Sequence, residues 1–211
     1  MATGLRERKK EQTRQRIGEI ARRRFAERGF DGVTVAEIAR EADVSEKTVF
    51  NYFPTKEDLV YWRMETFEEE LLAAIRERGE GESVVAAFGR FVRAPRGLLG
   101  DVDEQARAQL AALTRTIVES PALLAREQQI FAGYTRSLAE LIAGEGGGGA
   151  IEAWVAANAL MGVHRALIDF SRERILAGAR QPALADEVRA EADRALGLLE
   201  RGLGGYSVKA G

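Results

Sequence analysis

Residues 45 to 59, SEKTVFNYFPTKEDL, gather on one short segment the side chains that could read a nucleic acid. Glu46, Lys47, Thr48 and Asn51 offer a carboxylate, an ammonium, a hydroxyl and an amide, groups that hydrogen-bond base edges in the major groove of DNA. Phe50 carries no polar atom, and beside that polar face it can touch the methyl group of thymine. Tyr52 and Lys56 suit phosphate oxygens, as does Thr34, whose hydroxyl and neighbouring amides open the preceding helix. Catalytic chemistry is poorly supplied by comparison. With no cysteine and His164 as the one histidine, thiol nucleophiles and the usual zinc ligand sets are excluded. No G-x-S-x-G elbow, Walker loop or H-E-x-x-H motif occurs. Glu68, Glu69 and Glu70, consecutive on a helix, point in different directions and read as a solvated face rather than a carboxylate pair. The chain is therefore expected not to be an enzyme, to need no cofactor and to hold no metal.

Such a segment needs a scaffold that turns one helix face outward. Apolar residues recur at spacings of three and four and period-two alternation is almost absent, so the fold class is all-α. The first helix is expected from about Thr13 to Arg28, with Ile17, Ile20, Ala21 and Phe25 as its inward stripe and Gly29 as its stop. Thr34 and Glu37 have the spacing of a capping box that opens a second helix at Val35. Ala39, Asp43, Val44 and Val49 then fit two short helices crossing at a tight turn, with a small residue at the approach and apolar residues closing the core. Ser45 caps the second of the pair and Pro54 ends it. Thr55 and Asp58 form a further cap, with a helix from about Lys56 to Arg78 behind it. Helices follow at about Ser83 to Val92, Val102 to Glu119, Ala122 to Ala143, Ala150 to Ala177 and Leu184 to Leu203, the glycine-rich run 144–149 serving as a flexible connector.

Charge divides along the same line. Residues 1 to 30 hold ten Lys and Arg against four Glu, which is +6 in a 211-residue chain of net charge -2, so the remainder carries -8. A basic start on an acidic body suits an anionic partner at one end, although a solvated basic helix accounts for the same charges. The arm from Arg6 to Lys10, with Arg14, either adds phosphate or minor-groove contacts or is a disordered charged tail. The N-terminus lacks a signal-like apolar stretch, and the longest weakly charged stretch, 153–163, is about half of the ~20 residues a membrane span needs. A cytoplasmic protein without a membrane partner is expected.

From Thr34 the segment TVAEIAREADVSEKTVFNYFPTKEDLV resembles the DNA-binding segment of the TetR (tetracycline-repressor-like) transcriptional regulators, whose pattern is T-x-x-x-I-A-x-x-A-G-V-S-x-x-T-x-Y-x-Y-F-x-x-K-x-x-L. The likeness covers residues 13 to 60, and chain length and helix order agree with it. Two positions depart from the pattern. Asp43 replaces the usual turn glycine, a place where aspartate tolerates left-handed backbone better than most residues. Phe50 replaces a common tyrosine and so lacks its hydroxyl. The resemblance implies that Glu46, Lys47, Thr48, Phe50 and Asn51 lie against base edges and that Thr34, Tyr52 and Lys56 touch phosphates. It also implies two domains: residues 1–54, a three-helix helix-turn-helix head with a basic arm, and residues 55–211, a larger helical domain for effector binding and dimerisation through its last two long helices.

Candidate pocket residues on the larger part are Trp62, Phe67, Phe88, Phe91, Phe131, Tyr134, Trp154, Asn158, Met161 and His164. Trp154, Asn158, Met161 and His164 follow one another at helical spacings and share roughly one face. An aromatic stripe of this kind is equally read as plain core. His164, with an ordinary pKa near ~6.5, could tie ligand release to pH. The small residues Ala156, Ala157, Ala159 and Gly162, and the stripe Leu184, Val188, Ala192, Leu196 and Leu199, suit a helical homodimer interface. The expected function is that of a bacterial repressor. It would bind a near-palindromic operator in double-stranded DNA as a homodimer and be released by a hydrophobic or amphipathic small-molecule effector. The alternative is a helical small-molecule-binding or scaffold protein with a vestigial DNA-binding head.

Overall fold

The computed structural model describes residues 2–62, 64–94, 104–145 and 149–202. Among these the regular structure is entirely helical: α1 (Ala2–Arg28), α2 (Val35–Glu41), α3 (Glu46–Tyr52), α4 (Met64–Arg76), α5 (Val84–Arg93), α6 (Glu104–Glu119), α7 (Pro121–Gly144), α8 (Ala150–Leu176) and α9 (Ala183–Arg201). The chain forms two compact units, one of Met1–Glu65 with Asp103–Gln129 and the other of Thr66–Val102 with Ile130–Gly211. Glycines 146–148 of the connector, and the expected helix ends at Val102 and Leu203, lie outside the described residues.

In the first unit α1 begins at Ala2, not near Thr13. Residues 5–12 are mostly good helix formers, and Thr13 does not cap. Its hydroxyl instead donates to Lys9 O at 3.0 Å from within the helix, and Gln15 Nε2 donates to Glu11 Oε1 at 2.9 Å. The basic arm therefore has a helical backbone, while the side chain of Arg6 lies outside the described residues. Ile17, Ala21 and Phe25 are fully buried, one per turn. Burying a large apolar side chain of this kind contributes about 1.5–3 kcal/mol. Gly29, at φ +74, closes α1 in the left-handed region, where a side chain would be strained.

Helices α2 and α3 meet the inner face of α1. Thr34 caps α2 through the full reciprocal box, its Oγ1 accepting from Glu37 N at 3.2 Å while Glu37 Oε2 accepts from Thr34 N at 2.8 Å. Ser45 Oγ accepts from Thr48 N at 3.1 Å at the head of α3. Between them Val44 N donates to Ala39 O at 3.0 Å, and Asp43 takes φ 51, so the aspartate holds the turn where glycine is usual. Ile38, Ala42 and Val49 are fully buried in the middle, with Phe53 closing the base at 1% exposure.

The long helix expected from Lys56 does not form. Thr55 and Asp58 do make their box, with Thr55 N to Asp58 Oδ2 at 2.9 Å and Asp58 N to Thr55 Oγ1 at 3.3 Å, but it opens only a 3-10 turn at Glu57–Leu59. Leu59, Tyr61 and Trp62 are all buried, but on one straight helix Leu59 and Trp62 would lie ~60° apart while Tyr61 would point ~160° from Leu59 and ~100° from Trp62. The chain therefore breaks before α4 begins at Met64. Tyr61 donates its hydroxyl to Leu123 O at 2.9 Å, and Asp58 accepts from Arg126 Nε at 2.8 Å, tying the first turns of α7 to this segment. Thr116 of α6 donates to Phe25 O of α1 at 3.3 Å.

The second unit is built on α8 and α9 with α5 against them. Leu184, Val188, Ala192 and Leu196, the stripe expected at a dimer interface, are buried inside this unit. The stripe faces inward because α5 and α8 both pack on that side of α9, and only Leu199 remains half-buried. Arg174 pairs with Glu187 between α8 and α9 at 2.6 and 2.9 Å, and Arg78 pairs with Glu145 at 2.5 and 2.9 Å. Five rings from α4, α5, α7 and α8 form an inner cluster. Phe67 lies 4.4 Å from His164, 5.2 Å from Phe91 and 5.7 Å from Tyr134, and Phe131 lies 5.6 Å from His164. Packed among rings, His164 has its pKa lowered to about 4, first by desolvation and then by the neighbouring Arg165 charge.

Two outcomes follow. Asp43→Gly relieves the left-handed strain and should stabilise the first unit by about 0.5–1 kcal/mol in a urea titration. Folded, His164 stays neutral until the pH reaches about 4, whereas the unfolded chain takes up that proton near 6.5. Its contribution to stability is therefore complete above pH 6.5 and is lost as pH falls from 6.5 towards 4. His164→Phe, which keeps a ring and removes the proton site, should flatten that part of a thermal-stability profile against pH.

Candidate nucleic-acid interface

The candidate surface is the outer side of α3. Val49 is its buried anchor, while Glu46, Lys47, Phe50 and Asn51 are exposed and Thr48 and Tyr52 are half-buried at the margins. At ~100° per residue the four exposed positions fall within ~140° of one another, so they share one face. Their atoms supply an acceptor, a cationic donor, an apolar ring and a donor–acceptor amide. Thr48 Oγ1 already lies 2.9 Å from Ser45 Oγ, which fixes its rotamer beside the cap.

Two of the residues expected at phosphates also have partners within the head. Thr34 directs both its amide, at 2.8 Å, and its hydroxyl, at 3.0 Å, to Glu37 Oε2. That carboxyl is held at a pKa of about 2, chiefly by the Thr34 backbone N–H and then by Arg28, so the cap of α2 carries its charge paired with the arginine. Lys56 turns inward, donating to Phe30 O at 2.7 Å with its ammonium 4.2 Å from the Phe30 ring centre. Its cation holds the loop after α1 in place against the aromatic pair Phe25 and Phe30.

The basic character of α1 is likewise partly internal. Arg24 Nε donates to Glu41 Oε2 at 2.7 Å, Arg23 also pairs with Glu41, and Arg28 pairs with Glu37 at 2.9 Å. The Glu41 carboxyl is lowered, first by its hydrogen bond from Arg24. These are exposed pairs, screened by water, which set the register of α2 on α1 more than its stability. Arg14 lies over the Phe53 ring at 5.4 Å. Arg8, Lys9, Lys10 and Arg16 stand exposed along the same helix.

The pocket candidates separate into groups. Phe67, Phe91, Phe131, Tyr134 and His164 come together in the ring cluster, and Phe88 and Met161 are fully buried in the same unit. Trp154 departs from them: it is 46% exposed, and Asn158 Nδ2 donates to its carbonyl at 2.8 Å. The spacing that joined these α8 residues spans ~120° of helix surface, enough to run from the packed side to the open one. Trp62 belongs to the first unit, where it covers Gly18 of α1 so closely that a Cβ there would stand 2.7 Å from its ring. That contact was missed from the sequence, although a glycine inside an otherwise strong helix former is the signal for a close approach. The acidic partners Glu37 and Glu41 were also missed as partners of α1, since only the fold brings them to it. Among the described residues no group of three or more His, Asp or Glu side chains converges on a metal position.

Comparison with known proteins agrees with this geometry. Residues 17–61 match the family model of bacterial regulatory proteins, tetR family. The HTH-type transcriptional regulator TcmR of Streptomyces glaucescens is 32% identical over 124 residues, covering 58% of this chain and 55% of that protein. The HTH-type transcriptional repressor AcnR of Corynebacterium glutamicum is 34% identical over 89 residues, 42% of each chain. These alignments span about half the length of the curated relatives. The transcriptional regulator FadR of Bacillus subtilis, solved with stearoyl-CoA, superposes with a TM-score of 0.50 at 22% identity, over 88% of this chain and 96% of that one, a likeness of fold. With its capped α2, its seven-residue α3 facing outward and the match centred on both, residues 17–61 are a helix-turn-helix head of the kind that the tetR family of bacterial regulatory proteins carries.

Proposed function

We propose that the chain is a DNA-binding transcriptional repressor that occupies a near-palindromic operator in double-stranded DNA as a homodimer and leaves it when a hydrophobic or amphipathic small molecule binds. The observation that carries this reading is the outer face of α3, polar and exposed around Phe50 while Val49 anchors it beneath. In a major groove Lys47 suits guanine O6 and N7, Asn51 suits adenine N6 and N7, and Glu46 suits the cytosine amine. Thr48 and Tyr52 lie at the margins, and the exposed Arg8, Lys9, Lys10 and Arg16 supply sequence-independent attraction to phosphates. Thr34 and Lys56 meet phosphates at the edge of the groove, and they also brace the head through Glu37 and Phe30. Residues 1–54 form the DNA-binding head with its basic arm, and residues 55–211 the effector-binding and dimerisation domain. The site of action is the bacterial cytoplasm, on the nucleoid when bound to DNA.

The effector site in this reading is the ring cluster. Phe91, Phe131 and Tyr134 are buried there, while Phe67 and His164 are half-buried and present the accessible edges. An apolar ligand inserting among these rings binds one arrangement of the helices better than another and so shifts the population away from the DNA-binding form. Because His164 is neutral down to about pH 4, release is a response to ligand and not to physiological pH. Two relatives lend support: AcnR is described as a repressor, and FadR was solved with stearoyl-CoA.

The homodimer rests on α8. Ile151, Trp154 and Val155 are 78%, 46% and 61% exposed on its first turns, and Asn158 and Gly162 continue that face. A second copy laid on this face removes the tryptophan from water. Sedimentation velocity at micromolar concentration should find a dimer for the native chain and a monomer for Trp154→Glu; a native monomer contradicts the assignment. On the DNA side, Lys47→Ala and Asn51→Ala should each weaken binding to a selected operator by about tenfold and relax base preference at one position. Equal losses on operator and random DNA in an anisotropy titration would contradict the base-reading roles.

A further inference from the structure

The centre of the α3 face is apolar. Phe50 is 45% exposed, whereas Val49 is fully buried and Phe53 is 1% exposed, so the ring is held outward by a backbone that its neighbours lock in place. Glu46 and Lys47 lie ~40° and ~60° from it around the helix and Asn51 ~100°, so polar side chains flank it on both sides. A phenyl ring neither donates nor accepts a hydrogen bond, so phosphate oxygens, sugars and the polar base edges offer it nothing directional. The major groove presents one apolar group, the C5-methyl of thymine. The Glu46 carboxylate one turn earlier repels phosphates, which keeps this part of the face turned to bases.

We propose that Phe50 reads the C5-methyl group of one thymine in each half-site, so that the head distinguishes a methylated from an unmethylated pyrimidine at that position. The inference rests on the DNA-reading role proposed above and specifies how one base pair is recognised. Lys47 and Asn51 discriminate by hydrogen bonding. At the Phe50 position every hydrogen-bonding group that uracil shares with thymine is irrelevant, and the methyl alone is recognised.

The test replaces each thymine of a selected operator by deoxyuridine, one position at a time and symmetrically in both half-sites. Only the methyl is removed, and Kd is read by fluorescence anisotropy. One position should lose about fourfold per methyl, hence about fifteenfold for the two half-sites together, with the other positions near the unmodified value. Phe50→Ala should bind the unmodified operator about as weakly as the native chain binds the deoxyuridine operator, and should no longer tell the two apart. Unchanged helicity and unchanged affinity for random DNA establish that the variant is folded, and the scan with the native chain does not depend on it. Sequence-specific binding with no thymine sensitive beyond about twofold overturns the inference and leaves the regulator standing. Deoxyuridine sensitivity that persists in Phe50→Ala overturns it as well. If selection yields no specific operator, the DNA-reading role and the inference fail together.

Discussion

A seven-residue helix does not persist in water by itself, because the cost of nucleation exceeds what so few hydrogen bonds return. α3 exists because Val49 is driven into the core formed by α1 and α2, because Phe53 closes the base, and because Ser45 ties its first turn. That burial also sets the rotation of the helix. With Val49 inward, Glu46, Lys47, Phe50 and Asn51 have only the outer side to occupy. The proposed DNA-reading face is thus the complement of the packing face, and a change at Val49 would disturb both.

Charge works on this frame in two ways. Arg23, Arg24 and Arg28 are paired with Glu37 and Glu41, so part of the basic first helix is neutralised within the head. Lys56 is turned onto Phe30 for the same kind of internal purpose. The cationic side chains that remain outward, Lys47 on α3 and Arg8, Lys9, Lys10 and Arg16 along α1, are those that a polyanion could meet. A residue count of basic side chains overstates what DNA would meet, and the fold decides which of them are available.

Much of the head was legible because local rules and tertiary contacts agree there. The box at Thr34, the cap at Ser45, the stop at Gly29 and the left-handed turn at Asp43 are each specified by one or two residues and appear as expected. The segment after Pro54 was less legible. Its cap at Thr55 and Asp58 is real, but burial of Tyr61 and Trp62 overrides helical continuation, and no local pattern encodes that. In the larger part helix positions were readable from spacing, whereas partners were not. The stripe on α9 could equally have faced a second copy, and only the placement of α5 and α8 turns it inward. Trp154 shared a spacing with the buried Met161 and the half-buried Asn158 and His164 but lies across the edge between packed and open sides of α8. The gathering of Phe67, Phe91, Phe131, Tyr134 and His164 from four helices into one cluster depends on contacts far apart in the chain.

The central claim is that two outward α3 faces read one DNA site together. The most direct measurement is selection of binding sites by the purified chain from a genomic DNA pool at near-physiological salt, followed by hydroxyl-radical footprinting of the recovered sequence. The account predicts a recurring near-palindromic site with two protected patches on one side of the duplex, about one helical turn, ~34 Å, or a multiple of it apart. Weak binding that fades with salt, with no recurring sequence and no paired protection, would contradict it.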